Sequence, residues 1–248
     1  MPKTSGLGDR FFLTGNDVSG DIQAIGRIGG GPSVLDMTDI TQSAFSRLGA
    51  TRDGTMEFTS YFDPVTSHPV LSALPSTDVT TTYFRGTTIG NPAASLVAKQ
   101  INYDATIGQD DSFTLAVQAQ ANGFGLEWGV QHTAGIQTDT TATNSAGMDG
   151  GAATAFGAQL YVQFFSVVGT SVTVKIQDFT SDTPASYTDV TGLTTTAVTP
   201  GQAPTAQRIA IANNATVRRW TRVVTTGTFT SAAFAVMLVR NQTAGVTF

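Results

Sequence analysis

Apolar and polar side chains alternate with a period of two in one segment after another, and this feature constrains the fold most. In residues 112–120 every odd position is apolar, and residues 55–62 and 171–178 show the same period. Because successive side chains of a strand point to opposite faces, each segment predicts a strand with one buried and one wet face. Residues 234–239 are apolar at every position, which predicts a strand buried on both faces in the middle of a sandwich.

Two short helical signals interrupt this pattern, both in the first half of the chain. Asp39 is a suitable N-cap residue, and the residues after it, up to Leu48, have apolar side chains at helical spacing. This pattern predicts a short helix over residues 39–48. The side chains expected to face the core are Ile40, Ala44, Phe45 and Leu48. Ser67 is expected to cap a second short helix over residues 68–74, with Leu71 and Leu74 facing the core.

The predicted organisation has three parts. Residues 1–34 are rich in glycine and are expected to form an irregular arm or loop of the first domain. Residues 35–122 are expected to form a β domain, and residues 123–248 a second β-sandwich. The segment ANGFG, residues 121–125, is the best candidate for the junction between them. The fold class expected from pattern alone is therefore mainly β.

Composition limits the classes of function. Only 12% of the residues are charged, and the formal net charge of -5 disfavours a protein that binds DNA or a membrane surface through overall attraction. Such low charge is expected of a chain that covers much of its surface with other protein. The chain has no cysteine, which excludes disulfides, thiol catalysis and cysteine-ligated metals. Neither a signal peptide nor a membrane span is recognised, so synthesis in a cytoplasm is expected.

Few residues could support acid–base catalysis. Asp110 and Asp111 are adjacent, and adjacent strand residues point to opposite faces. Glu57 and Asp63 share a face but lie about 20 Å apart along an extended strand, too far for a glycosidase pair. We therefore expect no enzyme activity, and solvated acidic surfaces are the simpler explanation of these carboxylates.

The remaining candidates for chemistry are equally weak. The two histidines, His68 and His132, are expected to be structural. The segment GRIGGGPS lacks the lysine of a phosphate-binding loop, since Pro32 follows its last glycine. No nucleophile elbow or calcium loop is present. We expect neither a cofactor nor a metal.

Several extended stretches of the chain resemble a known family. They include DITQSAFSRLGATRDGTMEFTSYFDP, HPVLSALP, GNPAASLVAKQINYD and GLEWGVQHTAGIQTDTTATN in the first part, and FGAQLYVQFFSVVGTSVTVKIQDF and VRRWTRVVTTGTFTSAAFAVMLVRN in the second. These segments, between about residues 35 and 241, resemble the major tail (tail tube) proteins of long-tailed, non-contractile, siphovirus-type phages of actinobacterial hosts.

The resemblance implies a fold and an assembly. The fold is a tail-tube-type antiparallel β-sandwich with a short flanking helix, residues 68–74 here, followed by a second, jelly-roll-like β-sandwich. Family members form hexameric rings that stack into a hollow tube through which DNA passes. The partners implied are other copies of the chain, further tail proteins at the tube ends and the passing DNA, with no membrane. The location implied is the virion tail.

In such a tube, acidic residues of the lumen would repel the DNA phosphates. Six copies carry a formal charge of 6 × (-5) = -30 per ring. Glu57 is the first candidate for the lumen, because it lies on the polar face of a predicted strand; a place on the outer surface remains the alternative for every candidate. The weaker candidates are Asp78, Asp104, Asp110 and Asp111. Residues 15–34 are a candidate arm between rings, or else a loop on their own subunit.

A carbohydrate- or receptor-binding module on the virion surface is the alternative function. Trp128, Trp220 and Tyr187 are possible sugar platforms, and Trp220 has the clearest outward position in the sequence pattern. It lies in NNATVRRWTRVV, residues 213–224. There we expect an inner face of Val217, Arg219, Thr221 and Val223 and an outward ridge of Arg218, Trp220 and Arg222. Three arginines are too few for a DNA footprint.

Overall fold

The computed structural model describes residues 5–244 and is mainly β, with 57% strand and 3% helix. The strands pair antiparallel, which confirms the predicted fold class. The chain forms two compact units. The larger unit contains residues 5–20, 80–95 and 127–244 of the described chain, and the smaller unit contains residues 21–79 and 96–126.

Fourteen strands are present in the described residues. In chain order they are β1 (Arg10–Leu13), β2 (Asn16–Asp17), β3 (Ile22–Asp36), β4 (Arg47–Tyr61), β5 (Val79–Phe84), β6 (Pro92–Ile107), β7 (Phe113–Ala121), β8 (Glu127–Gln131), β9 (Gln137–Asp139), β10 (Met148–Asp149), β11 (Ala158–Phe179), β12 (Thr188–Thr194), β13 (Thr205–Ala210) and β14 (Trp220–Arg240). Helix α1 spans Ser67–Leu71, and a short 3-10 helix spans Pro184–Ser186.

The two longest strands, β11 and β14, organise the larger unit. They pair from Ala158 opposite Arg240 to Phe179 opposite Trp220. Strands β12 and β13 pair with β11, whereas β8, β9 and β10 pair with β14. Residues 234–239 of β14 are buried throughout, as their continuous apolar pattern predicts. They contribute to a core that includes Leu160, Val162, Phe164, Val174, Ile176 and Val236.

Two glycines lie at an irregularity in the pairing of β11 with β14. The register between β11 and β14 shifts three times, and two of these shifts flank Gly169, between Val168 and Gly169 and between Gly169 and Ser171. A Cβ on Gly169, which has φ +133°, would lie 2.5 Å from the Cα of Phe229. A Cβ on Gly227, which has φ +119°, would lie 2.3 Å from the carbonyl oxygen of Ser171. The strands therefore pass this irregularity only with glycine at both positions.

The smaller unit is built on a sheet with the strand order β3-β4-β7-β6. Met56, Phe58, Leu115 and Val117 are buried on one face of this sheet, as their period of two predicts. Helix α1 packs on this face: the side-chain amide of Gln100 donates to the carbonyl oxygen of Leu71 at 2.7 Å. The opposite face carries the polar residues of the same strands.

The predicted irregular arm of residues 1–34 is wrong from residue 10 onward, because residues 10–13 and 16–17 form strands β1 and β2 and residues 22–36 form strand β3. One of its glycines, Gly30, serves close backbone packing in the smaller unit. A Cβ on Gly30 would lie 2.4 Å from the carbonyl oxygen of Asp53 and 3.0 Å from the Cβ of Leu126. Glycine in a strand often marks this kind of close approach, which the composition alone does not distinguish from a flexible segment.

The predicted helix over residues 39–48 is also wrong. Strands β3 and β4 pair as far as Asp36 opposite Arg47, so residues 37–46 form the connection of a long hairpin. The Asp39 carboxylate accepts hydrogen bonds from the amide and hydroxyl of Thr41, which stabilises a turn instead of a helix. Ile40, Phe45 and Leu48, expected in the core, are exposed.

The second helix is shorter than predicted. Leu71 is fully buried, but Leu74 is exposed and has φ +39°, so the helix ends before it. The turn before α1 is stabilised by Asp63 instead of Ser67, since the Asp63 carboxylate accepts from the amides of Val65 and Thr66.

The compact units are discontinuous in sequence, because residues 80–95 belong to the larger unit. The boundary predicted at 122/123 lies four residues before the chain passes from the smaller to the larger unit, after Leu126. The division into 1–34, 35–122 and 123–248 as domains stays a prediction.

Candidate functional surfaces

The polar face of the smaller unit is the first candidate surface. One row crosses all four strands, with Arg27 on β3, Glu57 on β4, Gln118 on β7 and Asn102 on β6. The Glu57 carboxylate accepts from the Gln118 amide at 3.3 Å and from the Thr55 hydroxyl at 3.4 Å. The side chains of this row are partly or fully open to solvent.

Two of the five acidic lumen candidates share this face. Asp104 lies in register with Ala116 and Thr59, one row from Glu57. Asp53, which the sequence analysis did not single out, accepts from the Gln120 amide at 3.2 Å. Its position on this face depends on the β4–β7 register, which no local sequence signal reveals.

The other three acidic candidates lie at loops of the smaller unit. Asp78 forms an ion pair with Lys99 at 2.8 Å and accepts from Asn122, and the Lys99 interaction is the main cause that lowers the Asp78 pKa. Asp110 and Asp111 lie in the turn between β6 and β7. There the Asp110 carboxylate accepts a hydrogen bond from the Ser112 hydroxyl, which lowers the Asp110 pKa. Asp111 has the positive backbone angle φ +61°.

The far end of the β3–β4 hairpin is the second candidate surface. It exposes six large apolar side chains within fifteen residues: Val34, Leu35, Met37, Ile40, Phe45 and Leu48. Phe45 is 71% exposed, with the Arg47 guanidinium 4.8 Å from its ring centroid. Large apolar side chains that are exposed together in one segment are typical of an interaction surface. We call residues 34–48 the hairpin tip.

The arginines of residues 213–224 are held by the larger unit itself. Arg218 donates its backbone amide to the Asp178 carboxylate at 2.7 Å, and its guanidinium lies 5.7 Å from the Phe179 ring centroid. Arg219 makes two hydrogen bonds to the Asp149 carboxylate, at 2.6 and 2.7 Å. These pairings leave little of the positive charge for phosphate groups.

The predicted outward ridge is wrong at Arg222, which is only 8% exposed. Its guanidinium donates twice to the Gln177 side-chain oxygen and lies 4.4 Å from the Tyr187 ring centroid. Trp220 is half-buried and stacks with Arg219, not with Arg218 and Arg222. The polar partners on β11 make burial of Arg222 favourable, and a two-face pattern does not reveal them.

The three possible sugar platforms differ in exposure. Tyr187 is buried and donates to the Asp182 carboxylate at 2.9 Å, whereas Trp128 on β8 is 52% exposed. Trp128 therefore replaces Trp220 as the most accessible tryptophan. It borders a cleft of about 420 Å³ in the larger unit, together with Met148, Asp149, Leu238 and Arg240.

A buried ion pair lies elsewhere in the larger unit. Arg208 on β13 donates to the Glu127 carboxylate at 2.6 Å and to the Tyr161 hydroxyl at 3.0 Å. Both charged side chains are buried, and the second Glu127 carboxylate oxygen has no hydrogen-bond partner in the described part of the chain. Burial raises the pKa of Tyr161 well above its ordinary value, so its hydroxyl stays protonated.

Both histidines pack inside their own units. His68 shares a 2.6 Å hydrogen bond with the Tyr103 hydroxyl and stacks against Phe62. His132 is buried, and its Nε2 lies 2.9 Å from the Thr221 hydroxyl. Burial lowers the pKa of His132 to about 4, so the ring is neutral near pH 7.

In residues 5–244 no cluster of three or more His, Asp or Glu side chains is arranged to hold a metal ion. Nor does this part of the chain contain a helix long and apolar enough to cross a membrane.

Comparisons with known proteins give little similarity. No family model and no curated protein matches the chain. The crystal structure of SPP1 Dit (gp 19.1), titled a paradigm of the hub adsorption apparatus of phages that infect Gram-positive bacteria, aligns with a TM-score of 0.35 and 10% identity over 93% of this chain and 98% of that one. A chain of the infectious bursal disease virus Gx strain aligns with a TM-score of 0.18 and 12% identity over 94% of this chain and 56% of that one. Neither alignment reaches a level that shows a shared fold.

Proposed function

We propose that this chain is a structural virion protein whose copies form stacked rings, six copies to a ring, that build the tail tube of a long-tailed phage. The observation that carries the proposal is the four-stranded sheet of the smaller unit. One face of this sheet is covered by its own core and α1, and the other carries mainly polar side chains. A sheet with these two faces suits the wall of a water-filled channel.

The edges of this sheet are suited to joining copies. Strand β3 is fifteen residues long and forms one edge of this sheet, and the part of β6 that does not pair with β5 or β8 forms the other edge. An edge strand presents unpaired backbone groups that readily pair with another chain. In the proposed ring, β3 of one copy lies beside β6 of the next, so six four-stranded sheets close into one barrel without free edges.

The side chains of the polar face suit DNA passage. They are mainly glutamine, asparagine and threonine, with the acids Asp53, Glu57 and Asp104 and the base Arg27. Lys99, the other base in these rows, is paired with Asp78. Phosphate binding gains free energy when many cations on the protein release counterions. A lining with few free cations therefore gives DNA no strong site at which to stop.

The hairpin tip provides the contact between rings in this proposal. Its six exposed apolar side chains project from the end of paired strands, and they would be buried by a neighbouring copy. Burial of apolar surface contributes about 25 cal/mol per Å². Burial of these six side chains would therefore stabilise the contact between stacked rings. The segment involved is therefore residues 34–48, beyond most of the predicted arm of residues 15–34.

The first prediction concerns tube formation. Purified protein is expected to show rings or tubes with a central hole in negative-stain electron micrographs. The double variant Ile40→Glu with Phe45→Glu is expected to remain folded but to lose stacked tubes, because two charges would have to be buried at each contact. Val65→Glu is the matched control, since Val65 is also an exposed apolar residue of the smaller unit.

The outcomes separate clearly. Tubes in the wild type and in Val65→Glu, with single rings or monomers in the double variant, support the proposal. A wild-type protein that stays monomeric at every concentration and salt condition would contradict tube formation. Normal tubes from the double variant would contradict the role of the hairpin tip in stacking.

The second prediction concerns the lumen. Glu57→Lys is expected to leave rings intact but to make assembled tubes retain linear double-stranded DNA in a salt-sensitive manner, because it places a second cation beside Arg27 in every subunit. Retention is measured by co-sedimentation across a salt series. Asp182→Lys makes the same charge change at an exposed position of the larger unit. If both variants retain DNA equally, Glu57 does not line the channel.

A further inference from the structure

We propose that the cleft beside Trp128 in the larger unit binds a neutral pyranose sugar. This function is separate from tube assembly and uses none of the residues assigned to the lumen or the hairpin tip. The cleft has a volume of about 420 Å³, within the range of about 300–1,000 Å³ that is usual for small-molecule sites.

The wall that carries Trp128 is rigid and places the indole outward. On β8, Glu127 and Gln131 point into the unit and are buried, so Trp128 projects from the opposite face. Its backbone pairs with Ala94 of β6, and the neighbouring Val130 pairs with Leu238 of β14. A large aromatic ring held half-exposed by two flanking strands offers a flat apolar surface to the C–H face of a pyranose.

A Cβ on Gly129 would lie 2.4 Å from the Leu238 carbonyl oxygen. Glycine is therefore required at this position by the close packing of β8 against β14, on the face opposite the indole. This packing fixes the strand that carries Trp128.

The facing wall supplies a fixed acceptor. The Asp149 carboxylate is held by two hydrogen bonds from Arg219 and one from the Gly151 amide at 2.8 Å. These hydrogen bonds, above all those from Arg219, lower the Asp149 pKa to about 2, so the group is ionised at any ordinary pH. An ionised carboxylate that is already oriented accepts hydroxyl donors with little ordering cost, and a carboxylate has about four acceptor positions.

Arg240 closes the cleft and favours a neutral ligand. Its terminal nitrogens donate to the carbonyl oxygens of Gly150, Ala152 and Val217, which uses much of their donor capacity on the protein. Its Nε is buried and has no hydrogen-bond partner in the part of the chain described here. Arg219 balances the Asp149 charge, and the terminal Arg240 donors are used on the protein, so the cleft offers no free cationic donor to an anionic ligand. Hydroxyl-rich, uncharged sugars match this combination of stacking surface and acceptor.

Saturation-transfer-difference NMR tests the proposal on the assembled protein, because it observes the ligand and tolerates large particles. The probes are the methyl glycosides of glucose, galactose and mannose, maltose, lactose, N-acetylglucosamine, and the anionic N-acetylneuraminic acid. We expect at least one neutral sugar to bind with millimolar or better affinity and to receive the strongest saturation on its ring C–H protons. N-Acetylneuraminic acid is expected to bind more weakly than that sugar.

Variants assign the binding to the cleft. Trp128→Ala is expected to weaken the neutral sugar at least about tenfold, and Asp149→Asn to weaken it less. Trp128→Phe retains a ring and is expected to retain part of the affinity. Tyr61→Ala is the control, because Tyr61 is an aromatic residue of similar exposure, 47%, in the smaller unit. The proposal is overturned if no neutral sugar binds, if Trp128→Ala and Tyr61→Ala bind it equally, or if the anionic sugar binds best.

Discussion

Replacement of Phe58 by aspartate is expected to abolish soluble expression of the protein. Phe58 is 3% exposed and lies in register between Ile25 of β3 and Val117 of β7 on the apolar face of the smaller unit. An ionised carboxylate without a partner at this position costs several kcal/mol. A typical domain has only about 5–15 kcal/mol of net stability, so the substitution removes a large part of it.

The adjacent position provides the control. Thr59 lies on the polar face and is half-buried, and its cross-strand partners are Ala24 and Ala116. Thr59→Asp is therefore expected to yield soluble protein with an unchanged circular dichroism spectrum. Soluble, cooperatively folded Phe58→Asp together with insoluble Thr59→Asp would mean that the two faces of β4 are assigned the wrong way round.

Period-two patterns predict this part of the fold because they depend only on which side of a strand meets the core. Phe58, Leu115 and Val117 are buried as the alternation requires, and residues 234–239 are buried on both faces. The same argument fails where an apolar residue lies on the surface instead of in the core. Ile40 and Phe45 have helical spacing but lie exposed at the hairpin tip, so the pattern there reflects a surface and not a core.

Polar contacts between distant strands account for most of the candidate-site residues that the sequence did not predict. Arg222 is buried because Gln177 of β11 and the Tyr187 ring surround its guanidinium, and both partners are more than thirty residues away. Glu57 could be placed on a polar face from its neighbours alone. The accompanying positions of Arg27 and Gln118 require the register of three strands, and register is set by the whole sheet.

Arg208→Met is expected to destabilise the larger unit by about 3–5 kcal/mol. The substitution leaves the Glu127 carboxylate buried without the guanidinium that lies 2.6 Å from it, and one of its oxygens already lacks a hydrogen bond within residues 5–244. The Tyr161 hydroxyl also loses its contact with Arg208. At about 2–4 °C per kcal/mol for a unit of this size, the thermal midpoint is expected to fall by roughly 10 °C.

A double-mutant cycle distinguishes a charge left buried from simple loss of packing. Glu127→Leu combined with Arg208→Met is expected to be more stable than Arg208→Met alone, because it removes the unpaired carboxylate. Lys175→Met serves as the matched control: it breaks the more exposed pair with Asp189, at 2.7 Å, and is expected to cost less than about 1 kcal/mol. If the double variant is the less stable one, the Arg208 side chain acts mainly through its packing on Tyr161, and the buried carboxylate contributes little. If the double variant instead recovers most of the stability that Arg208→Met loses, the pair adds little net stability. Its main effect is then to hold β8 and β13 in their present arrangement, because a single buried charge without its partner is unfavourable.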